Sequence, residues 1–184
     1  VIFTSDSDEI YDIYNEREVQ SCMWGNEAVK AYGGPDTGLA YIMDGDKLVA
    51  RTVISTIDKV YVRVYGFKTL LESKLEKMGY KKGDLNDHRL LRIEANHEDS
   101  WLCPYLDCDS TYVDVEEDYL RIQYSGDYDS NDNTDGIIGL KICERCHEGA
   151  ESDEIYYVES VEQDVCSCCL ESDFVPVGAY NEWI

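Results

Sequence analysis

The sequence contains few basic residues. Lysine and arginine together number 16 among 184 residues, whereas aspartate and glutamate number 39, which gives a formal net charge of −23. A field of this sign repels the phosphate backbone of DNA and RNA and the surface of anionic membranes. We therefore do not expect non-specific binding to nucleic acid.

Long apolar runs and the common catalytic motifs are also missing. No stretch approaches the roughly 20 apolar residues of a membrane helix, although a hydrophobic content of 43% provides for a packed core. There is no P-loop, no dinucleotide-binding glycine motif and no G-x-S-x-G, and the three histidines lie in no nucleophile motif. We therefore predict a non-catalytic protein.

The negative charge is unevenly distributed. Residues 101–184 hold 21 of the acidic residues and only 3 of the basic ones, whereas residues 61–100 are nearly neutral. Such a field attracts basic partners. The alternative is that the acidity serves solubility alone or reflects a salt-rich habitat.

The hydrophobic pattern predicts an α+β protein with a mixed or antiparallel β-sheet and a few helices. A β-β-β-α segment is expected at 35–80, where an Asp-Gly pair between two apolar runs indicates a hairpin. Because the composition becomes acidic near residue 100, we predict an α+β domain over 1–100 and an acidic, strand-rich region over 101–184.

Within that segment, KVYVRVYGF alternates apolar and polar residues as a strand does. The following TLLESKLEKMGY has the spacing of a helix that ends at Gly79. The helix should place four apolar side chains on one side: Leu70, Leu71, Leu75 and Met78.

Two C-x-x-C pairs predict one metal site. Cys143 and Cys146 form the first pair, Cys166 and Cys169 the second, and a strand-like EIYYVES lies between them. Four thiolates on tight turns form the tetrahedral set that Zn²⁺ prefers, and we expect each pair on a hairpin turn of a zinc ribbon or treble-clef-like module. Such a site has no open coordination position, so one structural zinc is expected.

The alternative for these cysteines is that they are buried or disulfide-bonded. Cys168 and His147 are left out of the ligand set, because Cys166 with Cys169 preserves the C-x-x-C spacing. Metal-ligand spacing in place of a disulfide framework favours the reducing cytoplasm.

Weaker metal signals lie elsewhere in the sequence. Cys103 and Cys108, with His97 nearby, allow a second metal site, although packed or bridged cysteines are the commoner outcome, and Cys22 has no evident partner. The acidic loop 125–136 offers oxygen ligands, but neither possible register places glycine and glutamate where a calcium loop needs them. We expect a solvated loop there.

The segment KVYVRVYGFKTLLESKLEKMGY resembles half of an acetyltransferase of the GNAT family, in which a strand leads into a helix. Those enzymes hold the pyrophosphate of coenzyme A with an R/Q-x-x-G-x-G/A motif at the helix start. Arg63 and Gly66 match that motif, whereas Lys68 replaces its last small residue. The resemblance implies an acyl-coenzyme A-dependent N-acetyltransferase as the alternative function.

Several short segments together resemble uncharacterised proteins of tailed bacteriophages. They are SCM at 21–23, KLVARTVIS at 47–55, YVRVYG at 61–66, PYLD at 104–107 and the cysteine pairs ending in CSCCLESDFVPV. In such proteins a strand-rich domain precedes an acidic Cys-pair ribbon. The resemblance implies a phage product made in the host cytoplasm, with no catalytic residues to assign.

These observations lead to one functional prediction. We expect an interaction protein that binds and inhibits a basic host protein, such as a defence protein or a nucleic-acid-handling enzyme, by presenting an acidic, zinc-stabilised surface that mimics nucleic acid. A virion or assembly component remains a third possibility. The predicted contact residues are Asp114, Glu116, Glu117, Asp118, Asp127, Asp129, Glu151, Asp153 and Glu154.

Overall fold

The computed structural model describes residues 1–95, 100–107, 111–124, 136–151, 154–174, 176–177 and 182–183. The chain divides into two compact units. The first unit comprises Val1–Ile93 and Leu102–Gly136, and the second comprises Glu94–Trp101 and Ile137–Ile184. Both combine short helices with mostly antiparallel strands, so the predicted α+β class is confirmed.

The main sheet of the first unit contains six strands. Its order is β1-β2-β3-β4-β6, and β5 pairs with β3 beside β4. Neighbouring strands are antiparallel except β4 and β6, which are parallel. The strands are β1 Ile2–Thr4, β2 Thr37–Asp44, β3 Lys47–Ser55, β4 Val60–Tyr61, β5 Tyr65–Gly66 and β6 Lys81–Lys82.

The hairpin predicted from the Asp-Gly pair is confirmed. β2 and β3 pair from Thr37↔Ser55 to Asp44↔Lys47, and Gly45 in the turn has a φ of 61°. Few residues other than glycine adopt this backbone conformation readily, which explains the turn sequence.

The predicted continuous strand KVYVRVYGF is interrupted. β4 pairs with β3 at Ile54↔Tyr61, and β5 pairs with β3 at Arg51↔Tyr65. Between these two pairs the segment from β4 to β5 is one residue longer than the facing part of β3, so the register shifts by one residue. The extra residue is absorbed as a bulge, which breaks the alternation of exposed and buried side chains.

Two α-helices and a 3-10 helix flank this sheet. Helix α1, Ser7–Asn15, is capped by Asp6, whose carboxylate accepts the N–H groups of Asp8 and Glu9, and the 3-10 helix spans Glu27–Gly33. Helix α2, Lys68–Lys77, buries Leu71 and Leu75 against a cluster from the sheet, whereas Met78 is exposed.

The first unit extends beyond the change in composition near residue 100. Strands β7 Arg89–Leu91, β9 Thr111–Val115 and β10 Tyr119–Tyr124 form a sheet of order β7-β10-β9. Because β10 pairs with β7, residues after 101 belong to the same compact unit as the N-terminal region. Strand pairing, which composition does not reveal, thus sets the observed division.

The second unit is built around two hairpins and a short helix. Its hydrophobic core includes Val158, Val165, Leu170 and Phe174 together with two of the cysteines. One hairpin consists of β11 Gly136–Ile142 and β12 Gly149–Glu151, the other of β13 Ile155–Val158 and β14 Gln163–Cys166, and the helix is α3 Ser167–Asp173. The other strands are β15 Pro176–Val177, β16 Glu182–Trp183 and β8 Ser100–Cys103, within which the chain is divided between the two units.

Among the helices of the described part of the chain, none is both long enough and apolar enough to cross a membrane.

Candidate metal centre

The first cysteine pair lies on a tight turn between β11 and β12. The N–H of His147 donates to the carbonyl of Cys143 at 2.8 Å, and the N–H of Cys143 donates to the carbonyl of Glu148 at 2.9 Å. His147 has a φ of 62°, which the closed turn imposes on a residue with a side chain. The turn directs both cysteines toward the same point.

The second pair lies where a strand becomes a helix, and not on a second hairpin turn as the spacing led us to expect. Cys166 ends β14 and is the N-cap of α3, and Cys169 lies in the first turn of that helix. The resulting order of turn, hairpin and helix is treble-clef-like. A cysteine pair at a helix start has the same C-x-x-C spacing as one on a hairpin, which is why the sequence does not separate the two.

The four cysteines are close enough to hold one metal ion. Their sulfur atoms all lie within 4.8 Å of one another, and the Sγ atoms of Cys146 and Cys166 are 3.9 Å apart. Four sulfurs placed tetrahedrally at about 2.3 Å from a central ion are about 3.8 Å from each other. No disulfide joins any two of the described cysteines, for which the sulfur–sulfur distance would be about 2 Å.

Backbone amides prepare one of these thiols for ionisation. Burial raises the pKa of Cys143, but N–H groups of Cys146, Cys166 and Arg145 oppose it and lower the pKa to about 6. The amide of Cys166 donates to the Cys143 Sγ at 3.2 Å. The pKa of Cys169 is raised instead, by burial and by the neighbouring sulfurs. A cation bound among the four sulfurs relieves this crowding of negative charge.

Polar contacts brace the site from outside. The N–H of Glu144 donates to the carbonyl of Asp164 at 2.8 Å, and the N–H of Asp164 donates to the Glu144 carboxylate at 2.7 Å. Arg145 pairs with Asp173 at 2.9 Å and so connects the first turn to the end of α3. Cys168 and His147 are exposed and lie outside the group of four.

The described residues add no support for the two weaker metal sites considered from the sequence. Cys103 is buried, and its thiol donates to the carbonyl of Pro104 at 3.6 Å. Its proposed partners Cys108 and His97 lie outside the described residues, as does nearly all of the acidic loop 125–136.

The predicted contact residues fall in both units and differ in their surroundings. Glu116 is neutralised by Arg121, whose Nε and Nη2 donate to its carboxylate at 2.5 and 3.1 Å. Of the others, Asp114, Glu117, Asp118 and Glu154 are exposed, Glu151 ends β12, and Asp127, Asp129 and Asp153 lie outside the described residues.

The acetyltransferase-like segment forms a strand–helix–strand unit. Arg63 is exposed and lies over the ring of Tyr65, Gly66 has a φ of 82°, and Lys68 begins α2. No side chain caps this helix at Phe67. The N–H groups in the first turn of α2 therefore have no side-chain acceptor at the cap position.

Two polar clusters of the first unit have no counterpart in the sequence predictions. The hydroxyl of Ser55 contacts Nε2 of buried His88 at 2.7 Å, and Arg51 is buried between tyrosines. The only signal for Arg51 is a lone charge within the apolar run KLVARTVIS.

Comparison of the chain with protein-family models, with curated proteins and with solved structures finds no match.

Proposed function

We propose that this protein is a non-catalytic interaction protein whose second unit is a zinc-stabilised module that binds a basic partner. The observation that carries the proposal is the joining of a four-cysteine cluster to an exposed, acidic and aromatic hairpin, β13–β14. The fold of the hairpin depends on the cluster, because Cys166 ends its second strand.

Zinc is the metal that best suits this donor set. Four thiolates select soft or borderline ions, and a spacing near 3.9 Å agrees with tetrahedral Zn–S bonds. All four positions are taken by the protein, so the ion has no place for water or substrate. Its role is to hold the turn, the hairpin and α3 together.

The hairpin supplies the contact surface. Tyr157 is 61% exposed, and Tyr156 and Val161 of the same hairpin are also exposed. Aromatic side chains at the centre of a charged surface are typical of protein-binding sites. The acidic residues exposed around them are Glu154, Glu159, Glu162 and Asp164.

Charge complementarity selects the partner. Residues 146–184 contain no lysine or arginine, and the neighbouring Arg145 is paired with Asp173. A hairpin that carries exposed carboxylates and exposed aromatic rings suits a cleft that normally binds nucleic acid, where these groups replace phosphates and bases. We propose a nucleic-acid-handling or defence protein of a bacterial host as the partner, and the host cytoplasm as the place where the two proteins meet.

The test is affinity purification from bacterial lysate at low and at high ionic strength, with zinc quantified in the bait. The triple variant Glu154→Gln, Glu159→Gln, Glu162→Gln should lose the captured protein. The control Asp44→Asn, Asp46→Asn, which neutralises exposed acids of the β2–β3 turn, should retain it. Capture that is indifferent to salt and to the hairpin acids would overturn the proposal.

An acyl-coenzyme A-dependent transferase is the second candidate, and one observation favours it. The parallel pairing of β4 with β6 across α2 makes a β-α-β unit in which Arg63 and Gly66 lie between β4 and the helix. In a β-α-β unit the helix begins after the carboxyl end of the first strand, and the free N–H groups at a helix start bind anions.

Acetyl-coenzyme A distinguishes the two candidates. A transferase should show a thermal shift with acetyl-coenzyme A, and Lys68→Glu at the start of α2 should abolish it. Lys74→Glu, on an exposed position of the same helix, should not. A wild-type protein without any shift would exclude this candidate.

A further inference from the structure

A buried arginine of the first unit carries donors that the surrounding protein does not satisfy. Arg51 lies in the middle of β3 and is 0% exposed. Its Nε, Nη1 and Nη2 have no hydrogen-bond partner among the residues that the structure describes. Leaving a buried charged donor unpaired is costly, so such a residue requires an explanation other than stability.

Two tyrosine rings pack against this guanidinium. Its Cζ atom lies 4.3 Å from the ring centroid of Tyr14 and 5.0 Å from that of Tyr65. The rings attract the positive charge and partly offset its burial. They do not replace oxygen acceptors, and the hydrogen-bonding capacity of the guanidinium stays unused.

Tyr65 also lines a cavity of about 740 Å³. The other walls come from the segment 16–24, which connects α1 to the 3-10 helix; they include the acidic Glu16 as well as Arg17, Cys22 and Trp24. Its volume lies in the range of small-molecule sites. Tyr65 thus contacts the cavity on one side and the buried arginine on the other.

The surroundings of Tyr65 are more basic than the rest of this acidic chain. The guanidinium of Arg63 lies 5.3 Å from its ring, and Arg17 lies over the ring of Trp24 at 5.7 Å. The hydroxyl of Tyr65 donates to Asp107 at 2.6 Å. That carboxylate also attracts the charge of Arg51, whose N–H groups nevertheless donate to none of the described residues.

We propose that this cavity binds a small organic molecule through an oxyanion group, a carboxylate or a phosphate, which Arg51 receives when the ring of Tyr65 turns aside. The guanidinium fork matches either anion with paired hydrogen bonds. The residues of this arrangement are Cys22, Arg51, Tyr65 and Asp107. None belongs to the second unit, so the site is independent of the metal module.

Cys22 reports on the cavity, because it is exposed and lines it. The experiment compares its alkylation by iodoacetate, an anion, and by uncharged iodoacetamide, resolved by site with mass spectrometry. Cys168, exposed in the acidic second unit, is the internal control. We expect the ratio of iodoacetate to iodoacetamide rates to be several-fold higher at Cys22 than at Cys168.

Competing anions complete the test. Inorganic phosphate or benzoate, added at constant ionic strength, should slow alkylation of Cys22 and leave Cys168 unchanged. Protection by benzoate alone assigns a carboxylate ligand, and protection by phosphate alone assigns a phosphate. Equal rate ratios at the two cysteines, or no protection by either anion, would overturn the proposal.

Arg51→Met separates binding from folding. Methionine fills a similar volume without a charge, so the unfolding midpoint should not fall, while the protection of Cys22 disappears. A large fall in the midpoint with unchanged protection of Cys22 would instead identify Arg51 as a structural residue. If the variant does not fold, the wild-type rate ratios and protection still decide the outcome.

Discussion

Asp36 and Arg89 form a bidentate ion pair inside the first unit. The Nε and Nη2 atoms of Arg89 donate to the two carboxylate oxygens of Asp36 at 2.7 and 2.8 Å, and the backbone N–H of Arg89 donates to one of them at 3.1 Å. Asp36 is buried directly before β2, and Arg89 begins β7, so the pair connects the two sheets of this unit.

This pair should make stability depend on acid. The hydrogen bond from Arg89 lowers the pKa of Asp36 below its ordinary value of 3.8, against the effect of burial. The stabilisation is therefore complete above that value and is lost as the pH falls through the folded-state pKa. Asp36→Asn should lower the free energy of unfolding at neutral pH by about 2 kcal/mol.

Urea unfolding of wild type and Asp36→Asn across the acidic range measures this difference, which should shrink as the pH falls. Asp44→Asn, on an exposed turn, serves as the control and should leave stability unchanged. A difference between wild type and Asp36→Asn that is constant with pH would contradict the assignment.

Substitution of one ligand should remove the metal, while substitution of its neighbour should not. Cys169→Ser takes a sulfur from the cluster, whereas Cys168→Ser changes an exposed cysteine of the same helix outside it. We expect one zinc per chain in wild type and in Cys168→Ser, and a loss of zinc in Cys169→Ser. Elemental analysis measures this directly.

Loss of the metal should also unfold the second unit alone. Structural zinc supplies the folding free energy of small modules, so hydrogen exchange in β13–β14 should accelerate in Cys169→Ser or after chelation. Exchange in the β2–β3 hairpin of the first unit should not change. A second unit that stays protected without metal would show that its apolar core suffices.

Gly66 should not tolerate a side chain. Its φ is 82°, and a Cβ atom there would lie 2.3 Å from the carbonyl oxygen of Val49. Gly66→Ala should lower the free energy of unfolding by about 3 kcal/mol, because backbone strain and a clash add together. Gly45→Ala also has a positive φ but meets nothing within 4 Å.

The comparison of these two variants by urea unfolding isolates the clash. Gly45→Ala should cost about 1 kcal/mol, from backbone strain alone. Equal losses in the two variants would mean that β3 moves away from the added methyl group.

The hydroxyl of Ser55 should stabilise the turn after β3. Its Oγ accepts the N–H groups of Ile57 and Asp58 at 3.2 and 2.8 Å. Nδ1 of His88 donates to the carbonyl of Asn86, so in the neutral ring Nε2 accepts the proton of the Ser55 hydroxyl. Ser55→Ala should lower the free energy of unfolding by about 2 kcal/mol, since it removes the hydroxyl that contacts buried His88 and that accepts the two backbone N–H groups.

Thermal or urea unfolding measures that loss, with Ser172→Ala, an exposed serine of α3, as the control. A stability unchanged by Ser55→Ala would indicate that the turn is held by its backbone contacts alone.

Features with short-range causes were predictable from the sequence. The Asp-Gly turn, the helix Lys68–Lys77 and the grouping of four cysteines each depend on residues close in the chain or on ligand chemistry that admits few arrangements. The strand at 59–67 was predicted as continuous, because the bulge arises from its pairing with β3, which alternation does not encode.

Composition and spacing alone establish the strong negative charge, its concentration after residue 100, the α+β class and the cysteine module, since these follow from local chemistry. The division into units, the strand-to-helix position of the second cysteine pair and the surroundings of Arg51 required the tertiary structure. Tyr14, Tyr65 and Asp107 are distant from one another in sequence. Only the tertiary structure packs the rings of Tyr14 and Tyr65 against Arg51 of β3 and brings Asp107 to the hydroxyl of Tyr65, because burial and pairing depend on long-range packing.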